Sequence, residues 1–488
     1  MDTLRSVAES PVLMGVLVSI SYSLVYFWRY PIFILPPEVL REPVGTIFGH
    51  HFDLQTAFSV VFTLGFGLAK FPAVFVMTGQ HFYARRLPAL ATLMAVSMLI
   101  SNVGVYVFAD VPLAQVACVF VGCFFQSWIW GGMFTYLEGR RVTEVLVAIA
   151  TACYAIAGPL ARATARYVLE LGVPPHAMPL AIGLVCCPPA MLLLALVDCS
   201  PAATPSPEDV RLRAHRKPVT AAGQRRFVRE NWFGLACLIL SLTLMTGLRS
   251  LRNFFSQDIF TSALALEAPP APSFFFLVDV PGSAVSCAAI FAFKAVRDNR
   301  AALLGMLAAG LGCVAALGAA NALFEAGAIA GRSWCVLTGL CIYTAYGVMA
   351  GPVYDRLVAA TRFDGTCTFL IYLSDGTAYA GTIVLLMYQV FGPKDGTGAR
   401  QTLNVFLLFV YVCSALMLLL IVVGATYYSQ KLPPTPADES LGGQERGPLL
   451  PTGAETPDCE QGHGPLLPHE TVGAKRGEAV PAVAGATR

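Results

Sequence analysis

Apolar residues come in long runs along this chain, parted by short polar stretches. A helix crossing the hydrocarbon of a bilayer needs about 20 mostly apolar residues. Runs of that kind lie near residues 10–34, 53–78, 88–110, 112–136, 143–169, 176–198, 231–255, 271–293, 301–323, 333–354, 366–391 and 402–428. The pattern predicts an all-α polytopic membrane protein with twelve transmembrane helices and no strand. Glycine and proline inside the runs are tolerated, because neighbouring helices re-satisfy the freed backbone groups. The longest polar interruption, Cys199 to Glu230, parts the runs six and six. The expected domains are an N-terminal six-helix bundle over 1–198, a cytoplasmic linker over 199–230, a C-terminal six-helix bundle over 231–428 and a disordered cytoplasmic tail over 429–488. The tail is rich in Pro, Gly and Glu, repeats "GPLLP", and has too little apolar surface to fold.

Composition sharpens this picture. Of 488 residues, 56% are hydrophobic and 13% charged, against about 25% charged in an average soluble domain. Mean hydropathy is +0.65. The formal charge of +2 and the lack of a basic tract give no sign of a nucleic-acid partner. All but two of the fourteen cysteines, Cys199 and Cys459, fall in apolar runs, where a free thiol behaves as a small hydrophobe. No disulfide framework, metal site or cofactor is expected. The first run lacks a small-residue cleavage site, so no cleavable leader is expected.

Lysine and arginine set the direction of insertion. With the N-terminus in the cytoplasm, seventeen of them fall on the inner side and six on the outer side, before the tail is counted; Arg162 and Arg166 belong to the outer six in this reading. Both termini are then cytoplasmic. The loops leave four cations within the spans: Arg29, Lys70, Arg249 and Arg252. Two acids, Asp279 and Asp375, lie at comparable depth.

A charge in the middle of a membrane helix costs about 3 kcal/mol on insertion scales, so it faces a cavity or a partner. Two readings stand for Arg29 and Arg252: anchoring at the membrane surface by snorkelling, or facing a cavity. Lys70 is the hardest to read as an anchor, with apolar sequence on both sides. Asp279 and Asp375 read as charge partners of these cations or as proton relays.

The two sets of six runs echo each other. Span 1 ends in "FWRYPIF" and span 7 in "GLRSLRNFF". Short basic loops follow spans 2 and 8, and acid mixed with Arg follows spans 4 and 10. Duplicated halves of this kind place a site near the midplane between them. Arg29 and Arg249 would face each other there, and a guanidinium fork matches phosphate or carboxylate.

The layout resembles the major facilitator superfamily. Within it, "YSLVYFWRYPIF", "GLAKFPAVF", "GLRSLRNFF" and "FLVDVPGS" are similar to motifs of the organophosphate:phosphate antiporter family. The resemblance implies that Arg29 and Arg249 bind phosphate, that Lys70 adds charge, and that Asp279 pairs with Arg249 at rest. Tyr26 joins the substrate-binding set. So does Tyr154, nearest to where that family carries a span-5 His. A closer likeness, over most of 10–428, is to a branch of unknown function in the same superfamily. It rests on "LEGRRVTEV" and "YDRLVAATR…FLIYLSDGTAYAG". That likeness implies roles for Glu138, Arg140, Arg141, Glu144, Asp355, Arg356 and Asp375, the inner-loop residues forming with Arg85 and Arg86 a cytoplasmic gate of ion pairs.

The expected function is a secondary transporter, monomeric, moving a small anion such as an organophosphate or phosphate by alternating access, as an antiporter or a proton-coupled carrier. The alternative is a transporter-like sensor or scaffold that binds without transport and signals through the tail. An enzyme is not expected: His50-His51 is the one histidine cluster, with no helix-spaced pair.

Overall fold

The computed structural model describes residues 10–47, 49–77, 82, 84–137, 140, 143–204, 221–361, 363, 368–391 and 398–432. They belong to one compact unit, Met1–Ser440. The long helices are α1 Pro11–Arg29, α2 Leu54–Met77, α3 Arg86–Val107, α4 Pro112–Leu137, α5 Thr143–Glu170 and α6 Met178–Asp198. They continue as α7 Ala221–Phe254, α8 Pro272–Lys294, α9 Asn299–Glu325, α10 Gly331–Ala350, α11 Thr368–Phe391 and α12 Gly398–Lys431. All but α5 are both long and apolar enough to cross a membrane. Helix α5 has the length, 28 residues, but carries Arg162 and Arg166.

Local chemistry sets several boundaries. Ser10 caps α1 by accepting from the Leu13 amide, with Pro11 in the first turn. Pro31 lacks an amide proton and ends α1 just after Arg29. Asp298 caps α9 through the Arg300 amide at 2.9 Å.

Three features depart from the expectation. A hairpin pairs β1 Pro43–Ile47 with β2 His50–Asp53, turning at Gly49 with φ +80°. Its weakly apolar sequence gives no strand signal; Phe52 is buried and packs against Phe391 of α11. A short helix, Ser256–Ala263, follows α7. Helix α7 itself starts ten residues inside the stretch read as linker, where Arg226 and Glu230 pair one turn apart at 2.7 Å.

Helix α1 packs on α5 and α6, α2 on α4, α7 on α11 and α12, and α8 and α9 on α10. Between the first six helices and the last six, the main contacts are α5 with α8 and α2 with α11. One apolar cluster lies wholly within residues 14–203; the other runs from Tyr30 to Leu432. At Gly282 of α8, an added Cβ would lie 2.7 Å from the Gly339 carbonyl oxygen of α10. The two backbones touch, as small residues allow in membrane helices.

The first end of the bundle carries residues 30–47, 49–53 and 255–271, where Arg41 meets Asp258. The second end carries 199–204 and 295–298.

Candidate functional site

Arg29 closes α1, but the chain beyond it stays buried: Ile32, Phe33, Ile34 and Leu35 are each 1% exposed or less. The guanidinium is therefore kept from the surface that the snorkelling reading requires. Its Cζ lies 4.0 Å from the Phe66 ring centre, 4.9 Å from Phe62 and 5.2 Å from Tyr26. Arg249 of α7 lies 3.9 Å from the Tyr346 ring. Such contacts contribute about 2 kcal/mol when desolvated, and they leave the N–H groups free to point elsewhere.

Both guanidiniums line one hollow, together with Tyr30, Thr63, Asn253, Tyr346, Asp375 and Tyr379. Its cavity volume is about 70 Å³, room for a few waters or one small polar group. No described carboxylate lies within 4.0 Å of either guanidinium. The Nε of each is buried with no hydrogen-bond partner among the described residues. Toward the first end, the hollow is closed by Phe33, Phe62 and Phe254, with ring centres 4.7 to 5.6 Å apart. Gln257 donates to the Leu35 carbonyl and Gln55 to the Phe254 carbonyl across the same layer.

Asp279 sits beside this hollow. Arg162 of α5 and Arg252 of α7 both donate to its carboxylate. Arg162 also donates to Asn253 Oδ1 at 2.7 Å, Tyr343 donates to the same oxygen at 2.8 Å, and Arg252 donates to the Cys335 carbonyl at 2.8 Å. Three corrections follow. Arg162 is not an outer-loop cation; it is 1% exposed, deep in α5. Arg252 is likewise 1% exposed and no surface anchor. Asp279 pairs with Arg162 and Arg252, not with Arg249, because Arg249 turns to the hollow side of α7 while Arg252 faces α8. Arg162 is the residue that the sequence reading missed. Its signal is there: an Arg eight positions inside the far end of a span whose neighbours are small and apolar.

Toward the second end, Lys70 Nζ of α2 lies 3.8 Å from Asp375 Oδ2 of α11. Lys70 stands about 12 Å along α2 from Phe62, at 1.5 Å rise per residue.

Residues 46–431 match the family of unknown function DUF5690. The chain belongs to DUF5690. No curated protein matches it in sequence. Among solved structures, it is similar to a bacterial homologue of the human lysosomal transporter Spinster, with a TM-score of 0.54 and 11% identity, over 86% of this chain and 96% of that one. The nucleoside transporter NupG gives 0.53 and 15%, over 86% and 98%. An auto-inhibited POT family peptide transporter gives 0.54 and 9%, over 87% and 98%. The DUF5690 chain is thus an integral multi-pass membrane protein with the all-α major facilitator fold.

Other DUF5690 residues singled out by sequence fall in several places. Tyr26 touches Arg29, and Tyr154 lies parallel to Tyr26, within 3°, at 6.5 Å. Neither lines the hollow. At the second end, Arg86 donates to Asp198 at 3.1 Å and lies 3.9 Å from the Tyr136 ring. Arg140 donates to the Tyr136 and Ala202 carbonyls. Arg356 donates to Asn299 Oδ1 at 2.7 Å. Arg85 and Asp355 are exposed. Glu144 lies in the first turn of α5. Glu138, Arg141 and the "GPLLP" repeats lie outside the described residues.

Proposed function

We propose that this chain is a secondary transporter that carries a small anion between its first and last six helices by alternating access. The observation that carries the reading is the pair Arg29 and Arg249. Two guanidiniums from the two parts of the chain line one hollow with no described carboxylate within ion-pair distance. Two uncompensated cations away from bulk water favour an anion strongly, and a dianion such as phosphate or an organophosphate matches both forks. The solved structures of similar fold are a nucleoside transporter, a peptide transporter and a bacterial homologue of a lysosomal transporter.

In this reading the halves 1–198 and 231–428 rock about the hollow, and binding neutralises the charge that holds it open. Both termini are cytoplasmic, the second end faces the cytoplasm, and one chain suffices. Lys70 lends a third cation, and Arg86, Arg140 and Arg356 steady the cytoplasmic end.

The test is uptake of radiolabelled phosphate and organophosphates by proteoliposomes. Arg29→Ala and Arg249→Ala should each abolish uptake while the purified protein keeps its elution profile and melting temperature. Undiminished uptake in either variant removes the site.

A further inference from the structure

Two acids lie within the spans, and their surroundings differ. The Asp279 side chain is 0% exposed and accepts from the two guanidiniums of Arg162 and Arg252. The Asp375 side chain is 36% exposed, lines the same hollow as Arg29 and Arg249, and faces Lys70 at 3.8 Å, beyond hydrogen-bond length. Of the two, Asp375 is the one that lines the hollow.

We propose that Asp375 is the proton-coupling site of the carrier, taking up one proton for each anion bound. The inference rests on the anion reading above and names its coupling ion. A dianion between Arg29 and Arg249 shares the hollow with the Asp375 carboxylate, and the two repel. A proton on one Asp375 oxygen removes that repulsion. It also weakens the hold of that carboxylate on the Lys70 ammonium beside the hollow. The proton comes from solvent, one O–H bond forms, and Lys70 keeps its charge throughout. When the anion leaves, Lys70 returns to Asp375 and the proton departs. Because linkage is reciprocal, protons tighten anion binding by the factor that anion binding favours protonation.

The other groups around Asp375 leave the titration to it. The packed elements present Lys70 from α2, Arg249 from α7, Tyr346 from α10 and Tyr354 from the helix Pro352–Ala360. Arg29 and Tyr30 share the hollow, and Tyr379 lies one turn along α11. These residue types ordinarily titrate well above neutrality. Among the described residues, the histidine contact on α11 is that of His50 with Phe391, at the far end of the helix.

The experiment measures sulfate binding by the purified full-length protein between about pH 5.5 and 8, where sulfate keeps both charges. Wild-type affinity should rise about tenfold per unit fall in pH across the titration. Calorimetry in buffers of different ionisation heat should show one proton taken up per sulfate. Asp375→Asn should bind with a flat profile at the low-pH level and take up no proton; Asp375→Glu should restore the slope. A flat wild-type profile, or an unchanged slope in Asp375→Asn, overturns the coupling role. Arg29→Ala separates the two ideas. If it abolishes sulfate binding while Asp375→Asn keeps the slope, the coupling fails and the anion site stands. If it binds sulfate as the wild type does, or the wild type binds none, the anion site itself fails.

Discussion

Arg162 of α5 and Asp279 of α8 form an ion pair across the contact between the first six helices and the last six. Both side chains are almost fully buried, at 1% and 0% exposure. Arg252 closes on the same carboxylate from α7, so two guanidiniums share one acid and the cluster carries one net positive charge. Asn253 ties it to the hollow, because it both accepts from Arg162 and lines that hollow.

Removing one partner of a buried pair leaves the other charge uncompensated and costs about 3–5 kcal/mol. Asp279→Ala strands two guanidiniums and should lower the melting temperature of the detergent-solubilised protein more than Arg162→Met, which leaves Arg252 on the acid. Equal melting temperatures for both variants and the wild type would show that the cluster does not form.

Lys70→Met should behave differently. The Lys70–Asp375 pair is long and partly exposed, at 16% and 36%, so its loss should cost only about 0–1 kcal/mol. Anion binding should weaken instead, by loss of the third cation. A stability loss as large as that of Arg162→Met would contradict this.

Asp258 gives a pH test at the first end. Burial pushes its carboxyl above the usual 3.8, Arg41 at 3.3 Å pulls it back, and Asp53 adds a smaller push upward. A folded-state value above the unfolded one means that the folded protein holds this proton more tightly. The resulting stability is complete below the unfolded value and is lost as pH rises through the folded one. Asp258→Asn keeps an acceptor for Arg41 and should remove this term. The gap in melting temperature between variant and wild type should then shift in favour of the variant as pH rises through that window. Parallel melting curves at every pH would exclude a buried carboxyl here.

Gly282→Ala tests the α8–α10 contact. The added methyl meets backbone atoms at 2.7 and 2.9 Å, which cannot rotate away as a side chain can. Overpacking of this kind costs about 1–3 kcal/mol, read as a lower melting temperature. Gly312→Ala, where a Cβ meets nothing within 4 Å, is the control and should melt no lower than the wild type.

Much of the fold is legible in the sequence, because crossing a bilayer is a local demand. Length and apolarity give the helices, although the first run, read to residue 34, hides the break that Pro31 makes just after Arg29. The hairpin at 43–53 escapes such a reading, since its strands are short and held partly by Phe52 against Phe391 of α11. The start of α7 escapes it too, because Arg225, Arg226 and Arg229 look like loop yet continue a helix through an exposed pair.

The sequence by itself determines that Arg29, Lys70, Arg249, Asp279 and Asp375 stand within apolar spans, because each can be counted against its own neighbours. It does not determine which cation meets which acid. Arg249 and Arg252 are three residues apart on one helix, yet one faces the hollow and the other Asp279. Arg162 comes to that acid from 117 residues away. Only the packing of α5, α7 and α8 decides this, because a buried charge is stabilised by whatever lies within a few ångströms in space, however distant along the chain.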